Sequence, residues 1–216
     1  MIVYLVRHGQ SYNTHPDPDQ PTVNPPLTPI GRAQAGLLAG RLGELGVDRL
    51  LTSPMVRAIE TSQAIARATG SAVEVWHRCH EHRDTPGYVC WGARELAGRY
   101  PDLVLPPDTP ADNWFYGSEP LQRAVARADA LLALLTGAAS RDGDTRVVVS
   151  THGAYLRTVI GRVVRADPEL MWRFTVHNAS ITTLSWASGE WQLLGFNDTA
   201  HLAGHPDLDP ALGVTR

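Results

Sequence analysis

Short apolar runs alternate along this chain with longer stretches in which apolar residues recur every three or four positions. Ile2-Val3-Tyr4-Leu5-Val6 has no polar break, the mark of a strand buried on both faces. Residues 48–52, 73–76 and 146–150 predict three more strands. A helix is predicted from Thr28-Pro29, with threonine as N-cap and proline at the first helical position. Leu38, Leu42 and Leu45 share one face of it, and Gly46 supplies a stop. A second helix is predicted from Ser53-Pro54 to near Gly70. Leu121, Val125, Ala128, Leu132 and Leu135 mark a long amphipathic third, and residues 154–164 a fourth. Residues 181–186 and 191–196 flank Ala187-Ser188-Gly189-Glu190 and predict a β-hairpin. Residues 12–27 read as a loop rich in proline, aspartate and asparagine. Residues 77–118 lack a clear period and hold many prolines, glycines and aromatics, so an insertion or lid is expected there. Residues 198–216 read as a loosely held tail.

Strands alternating with helices predict an α/β protein, a three-layer αβα sandwich with a mainly parallel sheet, right-handed crossovers and a lid-like insertion. The expectation is one domain over residues 1–216, with the lid at about 77–118.

Composition narrows the function. Apolar residues make up 43% of the 216 and charged residues 19%, enough to bury a core and too apolar for a disordered chain. The net charge of −3 offers no basic footprint for nucleic acid, so any anion site must be local. Cys79 and Cys90 do not make a disulfide framework. No leader pattern and no membrane-length apolar run is visible, so a cytoplasmic protein without membrane partners is expected. His77, Cys79, His80, His82 and Cys90 are zinc-ligand types crowded into one stretch, but their spacing matches no standard zinc signature. A metal-binding or regulatory non-enzyme is the reading they would support.

The chemistry sits at the predicted strand ends. Arg7-His8-Gly9 follows the first strand, and Ser150-Thr151-His152-Gly153 closes the fourth. Two histidines, each ending a β-branched run and each followed by glycine, suggest one site. Arg57 falls early in the helix after the second strand, and Glu81 follows the third. In a parallel sheet these ends share one edge, where open α/β folds bind ligands and helix N-termini add positive potential. Arginine forks match phosphate oxygens. An imidazole can attack phosphorus and carry the phosphoryl group, and a carboxyl can protonate a departing alkoxide. This inventory calls for no metal and no cofactor. Neighbouring arginines should push the His8 pKa down and keep its lone pair available. Taken singly, each residue also has a structural reading: a capped strand-end histidine, a solvated arginine, a surface glutamate.

Five stretches in this order resemble the histidine phosphatase superfamily, also called the phosphoglycerate mutase-like family. They are Leu5-Val6-Arg7-His8-Gly9-Gln10-Ser11, Leu27-Thr28-Pro29-Ile30-Gly31-Arg32-Ala33-Gln34-Ala35, Thr52-Ser53-Pro54-Met55-Val56-Arg57-Ala58-Ile59-Glu60-Thr61, Ser150-Thr151-His152-Gly153 and Asn197-Asp198-Thr199-Ala200-His201-Leu202. The resemblance implies that His8 becomes phosphohistidine and that Arg7, Arg57 and His152 hold the phosphoryl oxygens. It implies that Gln10, Ser11, Asn13, Thr14 and Gly153 contact substrate. Glu81 would be the proton donor and then the base for water, with Asp84 as the alternative donor. Here the acid segment reads Cys79-His80-Glu81-His82-Arg83-Asp84 and continues to Trp91-Gly92 with spacing that departs from the family pattern.

The implied function is a metal-independent phosphomonoesterase acting on a small phosphorylated substrate. The family's mutases carry an "E-R-H-Y-G"-like segment after the acid glutamate; Glu81-His82-Arg83-Asp84 lacks its Tyr-Gly, so phosphatase is preferred and phosphomutase is the alternative. A homodimer is compatible with the sequence. Tyr88, Trp91, Trp114, Phe115 and Tyr116 would shape a pocket for the leaving group or form the small core that holds the lid. Arg83, Arg94 and Arg123 would pair with a second anionic group or be solvated.

Overall fold

Side-chain alternation along β1 (Ile2–Arg7) divides the interior: Val3 and Leu5 enter one core, Tyr4 and Val6 the other. The remaining elements follow as α1 (Pro29–Leu45), β2 (Arg49–Thr52), α2 (Val56–Thr69), β3 (Val73–Val75), β4 (Tyr88–Cys90), α3 (Ala93–Arg99), β5 (Leu103–Val104), β6 (Trp114–Tyr116), α4 (Leu121–Asp142), β7 (Arg146–Thr151), α5 (Gly153–Val163), β8 (Ile181–Ala187) and β9 (Glu190–Asp198). This computed structural model describes residues 1–13, 17, 19, 23–83, 88–142 and 145–208.

One seven-stranded sheet runs β5-β3-β2-β7-β1-β8-β9. The first five strands are parallel, and β8 and β9 add antiparallel at one edge. Leu38, Leu42 and Ile65 of α1 and α2 pack with Tyr4, Val6 and Val148 on one face. Leu131, Leu135, Leu156 and Ile160 of α4 and α5 pack with Val3, Leu5, Val147 and Val149 on the other. Each such side chain contributes about 1.5–3 kcal/mol on burial. The expected three-layer α/β sandwich is therefore present. The hairpin turn puts Ser188 at φ 54° and Gly189 at φ 81°, the twist-matched two-residue form.

Three expectations need correction. Pro54 and Met55 form a bend after Ser53, and α2 starts only at Val56. Met55 at its N-cap makes no side-chain cap bond; Asn24 Oδ1 accepts from the Val56 N–H at 2.9 Å instead. Part of the 77–118 stretch belongs to the main body: β5 extends the sheet beside β3, and Leu96 of α3 packs on Ile59 and Val75. A two-residue strand and a seven-residue helix are too short to show a period. Among the described residues of this stretch, β4 and β6 form a separate ribbon. Residues 198–208 are held: Leu202 is buried in the α1 core, and Gln34 Nε2 donates to the Leu208 carbonyl at 3.0 Å. The rest of the tail, 209–216, lies outside the described residues. Among the described residues, no helix is long and apolar enough to cross a membrane.

Candidate active site

Strand register brings the motifs together. Arg7 pairs with Thr151 across β1 and β7, and Thr52 with Ser150 across β2 and β7. The strands end level, and the ladder runs one step further: the His8 N–H donates to the Thr151 carbonyl and the Ser53 N–H to the Ser150 carbonyl, both at 3.0 Å. His8 and His152 are thereby neighbours, ring centroids 5.1 Å apart at 62°. His152 Nε2 lies 2.7 Å from Ser53 Oγ.

The tautomer of His8 follows from its partners. Nδ1 is 2.7 Å from the Gly9 carbonyl oxygen. A carbonyl only accepts, so Nδ1 carries the hydrogen and Nε2 the lone pair. Arg57 Nε donates to that lone pair at 3.1 Å. A phosphorus bonded to Nε2 would have its oxygens within reach of the same guanidinium. Arg57 is fully buried in the first turn of α2. Thr61 ties this turn to the loop after β1: its hydroxyl donates to the Arg57 carbonyl and accepts from the Gly9 N–H. Arg7 Nη1 donates to the Val176 carbonyl at 2.6 Å. Its Nε lies 3.2 Å from where a Cβ on Gly153 would sit, so glycine at the start of α5 admits the guanidinium. Asn178 Nδ2 donates to the His8 carbonyl at 3.0 Å and fixes the backbone on the far side.

Close backbone approach explains the other glycines of the motifs. A Cβ on Gly9 would stand 2.3 Å from the Gly31 carbonyl oxygen, and one on Gly31 1.8 Å from the Gln10 carbonyl oxygen. The loop carrying His8 thus rests directly on the first turn of α1.

Burial is the first cause that pushes the His8 pKa well below the usual imidazole value; Arg57 and then Arg7 add to it, against the Gly9 carbonyl. The arginine effect expected from sequence operates, but desolvation leads it. His152 is lowered in the same way, by burial first and then by Arg57, His8, His80 and Arg7. Both rings are neutral, and the guanidiniums carry the charge. A neutral imidazole between fixed cations in a buried setting suits attack on an anionic phosphoryl centre.

Glu81 joins this cluster by capping α5. Its Oε1 accepts from the Tyr155 and His82 N–H groups, both at 3.0 Å, while His152 at the N-cap makes no cap bond of its own. The carboxyl therefore sits at the helix turn that begins with Gly153. Arg7, His8, Arg57, Glu81, His152 and Gly153 converge. Gln10 and Ser11 serve the frame: Gln10 Oε1 accepts from the Thr28 hydroxyl at 2.7 Å, and Ser11 bridges to Leu27. Asn13 is half-buried in the loop beyond. Thr14 and Asp84 lie outside the described residues. Ser53, Thr61, Val176 and Asn178 are not marked by the sequence, because strand register reveals the first, the packing of α2 on the Gly9 loop the second and the loop before β8 the others.

The zinc-type residues do not gather. Cys79 Sγ donates to the Trp76 carbonyl, Cys90 packs on Met55, His80 Nδ1 meets the His77 carbonyl, and His82 Nδ1 meets Glu119. Among the described residues no three histidine, cysteine or acidic side chains are arranged to hold a metal ion. Trp91 packs against the cluster of Ile59, Val75 and Leu96, and Trp114 against Met55 and Cys90, so both hold the insertion to the body. The side chains of Tyr88, Phe115 and Tyr116 lie outside the described residues. Arg94 pairs with Asp112 at the surface, the Arg83 carbonyl accepts from the Glu119 N–H, and Arg123 lines a cavity of about 560 Å³ with Trp114, Glu119 and Arg127.

Comparison with known proteins gives a match to the family model of the histidine phosphatase superfamily, branch 1, over residues 3–199. The chain is 25% identical to a probable phosphoglycerate mutase, GpmB, of Yersinia enterocolitica, covering 96% of this chain and 97% of that protein. It is 26% identical to the uncharacterized phosphatase PhoE of Bacillus subtilis, over 94% and 97%. It is 27% identical to the mitochondrial serine/threonine-protein phosphatase PGAM5 of Rattus norvegicus over 84% of this chain, which spans only 57% of that longer relative. Among solved structures, phosphoserine phosphatase from Entamoeba histolytica in complex with 3-phosphoglyceric acid superposes with a TM-score of 0.67 at 23% identity, over 93% and 98% of the chains. That likeness is one of fold.

Proposed function

The chain belongs to the histidine phosphatase superfamily, branch 1, and on that footing we propose that it is a phosphomonoesterase that hydrolyses a small phosphorylated metabolite through a phosphohistidine on His8. The observation that carries the reading is the His8 Nε2 lone pair, its tautomer set by the Gly9 carbonyl and its partner the Arg57 guanidinium at 3.1 Å. In the first step Nε2 bonds to phosphorus and the bond from phosphorus to the leaving oxygen breaks. Glu81 in its protonated form gives its proton to that oxygen. The Arg57 Nε–H hydrogen bond shifts its acceptor from the ring nitrogen to a phosphoryl oxygen, and Arg7 and His152 hold the others. In the second step Glu81, now a carboxylate, takes a proton from water as water attacks phosphorus. The N–P bond breaks and inorganic phosphate leaves. Positioning and fixed positive charge supply the catalysis. The same reading puts the enzyme in the cytoplasm, where such metabolites are.

Rapid quenching during turnover should trap an acid-labile, alkali-stable phosphoenzyme that His8→Ala abolishes. Turnover by wild-type protein with no such species overturns the proposal. Likeness to the Yersinia protein favours a second reading, phosphoglycerate-type phosphomutase, in which a substrate hydroxyl replaces water. The missing Tyr-Gly after Glu81-His82-Arg83 weighs for hydrolysis. A coupled mutase assay primed with a bisphosphate separates the two. A screen across sugar phosphates, phosphoglycerates, nucleotides and aryl phosphates then defines the substrate.

A further inference from the structure

We propose that Arg127, Glu119 and His82 form a clamp that positions Glu81 as proton donor, and that this clamp sets how well the enzyme handles poor leaving groups. The inference rests on the phosphohistidine reading above and deepens it. None of the three residues is part of the phosphoryl pocket, and all are positioning residues.

The contacts enclose Glu81 from both flanks. Arg127 of α4 holds Glu119 in a two-pronged fork, Nε to Oε1 at 2.8 Å and Nη2 to Oε2 at 2.6 Å. Its remaining nitrogen, Nη1, donates to the carbonyls of Arg78 and His80, at 2.6 and 2.9 Å. That fixes the chain before Glu81. Glu119 fixes the chain after it: Oε2 meets His82 Nδ1 at 3.0 Å, and its own N–H donates to the Arg83 carbonyl at 2.8 Å. The third link runs through Tyr155. Its N–H holds the Glu81 carboxyl, its ring lies 4.6 Å from the Arg127 guanidinium, and its hydroxyl donates to the Arg127 carbonyl at 3.1 Å. One guanidinium therefore sets the segment that carries the donor and the residue that receives it.

The pair is built for geometry. The Arg127 and Glu119 side chains are only 12% and 8% exposed, and buried ion pairs of this kind contribute direction more than stability. Burial works against the Glu119 charge, but hydrogen bonds from His82 and Arg127 outweigh it and hold the carboxyl down at about 2. Glu119 is ionised throughout the working range, so the fork is permanent.

A general acid matters in proportion to how badly the leaving group needs its proton. p-Nitrophenolate departs unaided; an alkoxide does not. The test compares kcat/KM, which reports phosphoryl transfer to His8, for p-nitrophenyl phosphate and glycerol phosphate in Glu119→Gln, Arg127→Lys and His82→Gln. We expect the alkyl substrate to lose about tenfold or more, part of the roughly 10²–10⁴ that general acid catalysis supplies, while the aryl substrate changes less than about threefold. Glu81→Gln should show the same asymmetry in larger degree. Equal losses of kcat/KM on both substrates overturn the clamp. Phosphorylation of wild-type His8 by p-nitrophenyl phosphate keeps the levels apart: its absence overturns the parent reading, and its presence with equal losses overturns only the clamp. Should Arg127→Lys fail to fold, His82→Gln carries the comparison, since it removes one outer contact and leaves the fork intact.

Discussion

Gly31→Ala offers a direct measure of the contact on which the site is built. The added Cβ would lie 1.8 Å from the Gln10 carbonyl oxygen and 2.8 Å from the Gln10 nitrogen. Both are backbone atoms and cannot swing aside. Ordinary contact begins at 3.4 Å, so α1 and the loop after β1 must part by about 1.5 Å. Three bonds span that gap: Thr28 N–H to the Gln10 carbonyl, Gln10 N–H to Gln34 Oε1, and the Thr28 hydroxyl to Gln10 Oε1. Overpacking costs about 1–3 kcal/mol, and each broken bond adds about 1 kcal/mol. A loss of about 4–6 kcal/mol is expected, a large share of a total of about 5–15 kcal/mol, so activity is measured on the fraction that stays folded. Gln10 lies two residues from His8, and a displacement of about 1 Å at reacting atoms costs on the order of 10² in rate. Urea unfolding measures the first effect and the rate of phosphohistidine formation the second. Gly36→Ala, on the same helix with nothing within 4 Å of its Cβ, should be neutral or up to about 1 kcal/mol more stable. Equal stability and activity in the two variants would refute the close-approach argument.

Three further outcomes are expected. His8 and His152 fold as neutral rings with pKa values held below the usual value of 6.5, so the unfolded chain binds more protons as pH falls through that range. Stability should be full above about pH 6.5 and decline below it, and His8→Asn or His152→Asn should flatten the decline in urea midpoint between about pH 7.5 and 5; an unchanged slope counts against buried neutral rings. Asn24→Gly keeps the positive φ of 54° but removes the acceptor for the buried Val56 N–H, and should cost about 1 kcal/mol for the lost bond; wild-type stability in that variant disproves the long-range cap. Vanadate should inhibit competitively, and Gly153→Ala, whose Cβ meets Arg7 Nε at 3.2 Å, should raise its inhibition constant about tenfold by turning the guanidinium off its bidentate line; no change would remove Arg7 from the anion site.

The sheet strands β1, β2, β3 and β7 were legible because parallel strands buried on both faces read as unbroken apolar runs. The residues at their ends were legible for the same reason, since a parallel sheet puts those ends on one edge. What stayed hidden was set by register and by distant backbone. Ser53 beside His152 follows from Thr52 pairing with Ser150, which no local pattern encodes. β5 is two residues long and owes its strand form to β3 beside it. The docking of residues 200–208 depends on Leu202 meeting a core built by α1, so composition alone made that segment look loose. The two glycines Gly9 and Gly31 were visible as letters, but their meaning is a contact between two segments.

The two helices that begin beside His8 share a device that bears on why these loops belong to the site. Neither α2 nor α5 caps itself: Met55 and His152 occupy the N-cap positions and make no cap bond. A serine or aspartate at 152 would satisfy the helix but take the place of the imidazole. The acceptors come from elsewhere, Asn24 for Val56 and Glu81 for Tyr155. That leaves the first turns of both helices to carry Arg57, His152 and Gly153. It also couples each helix start to a segment remote in sequence, residues 23–28 for α2 and 78–83 for α5. A change in either segment therefore reaches the surroundings of His8 through a helix N-terminus as well as through its own contacts there. For α5 the coupling bears on the proposed chemistry: the carboxyl that caps the helix is the proposed proton donor, and the Tyr155 N–H holds it in place.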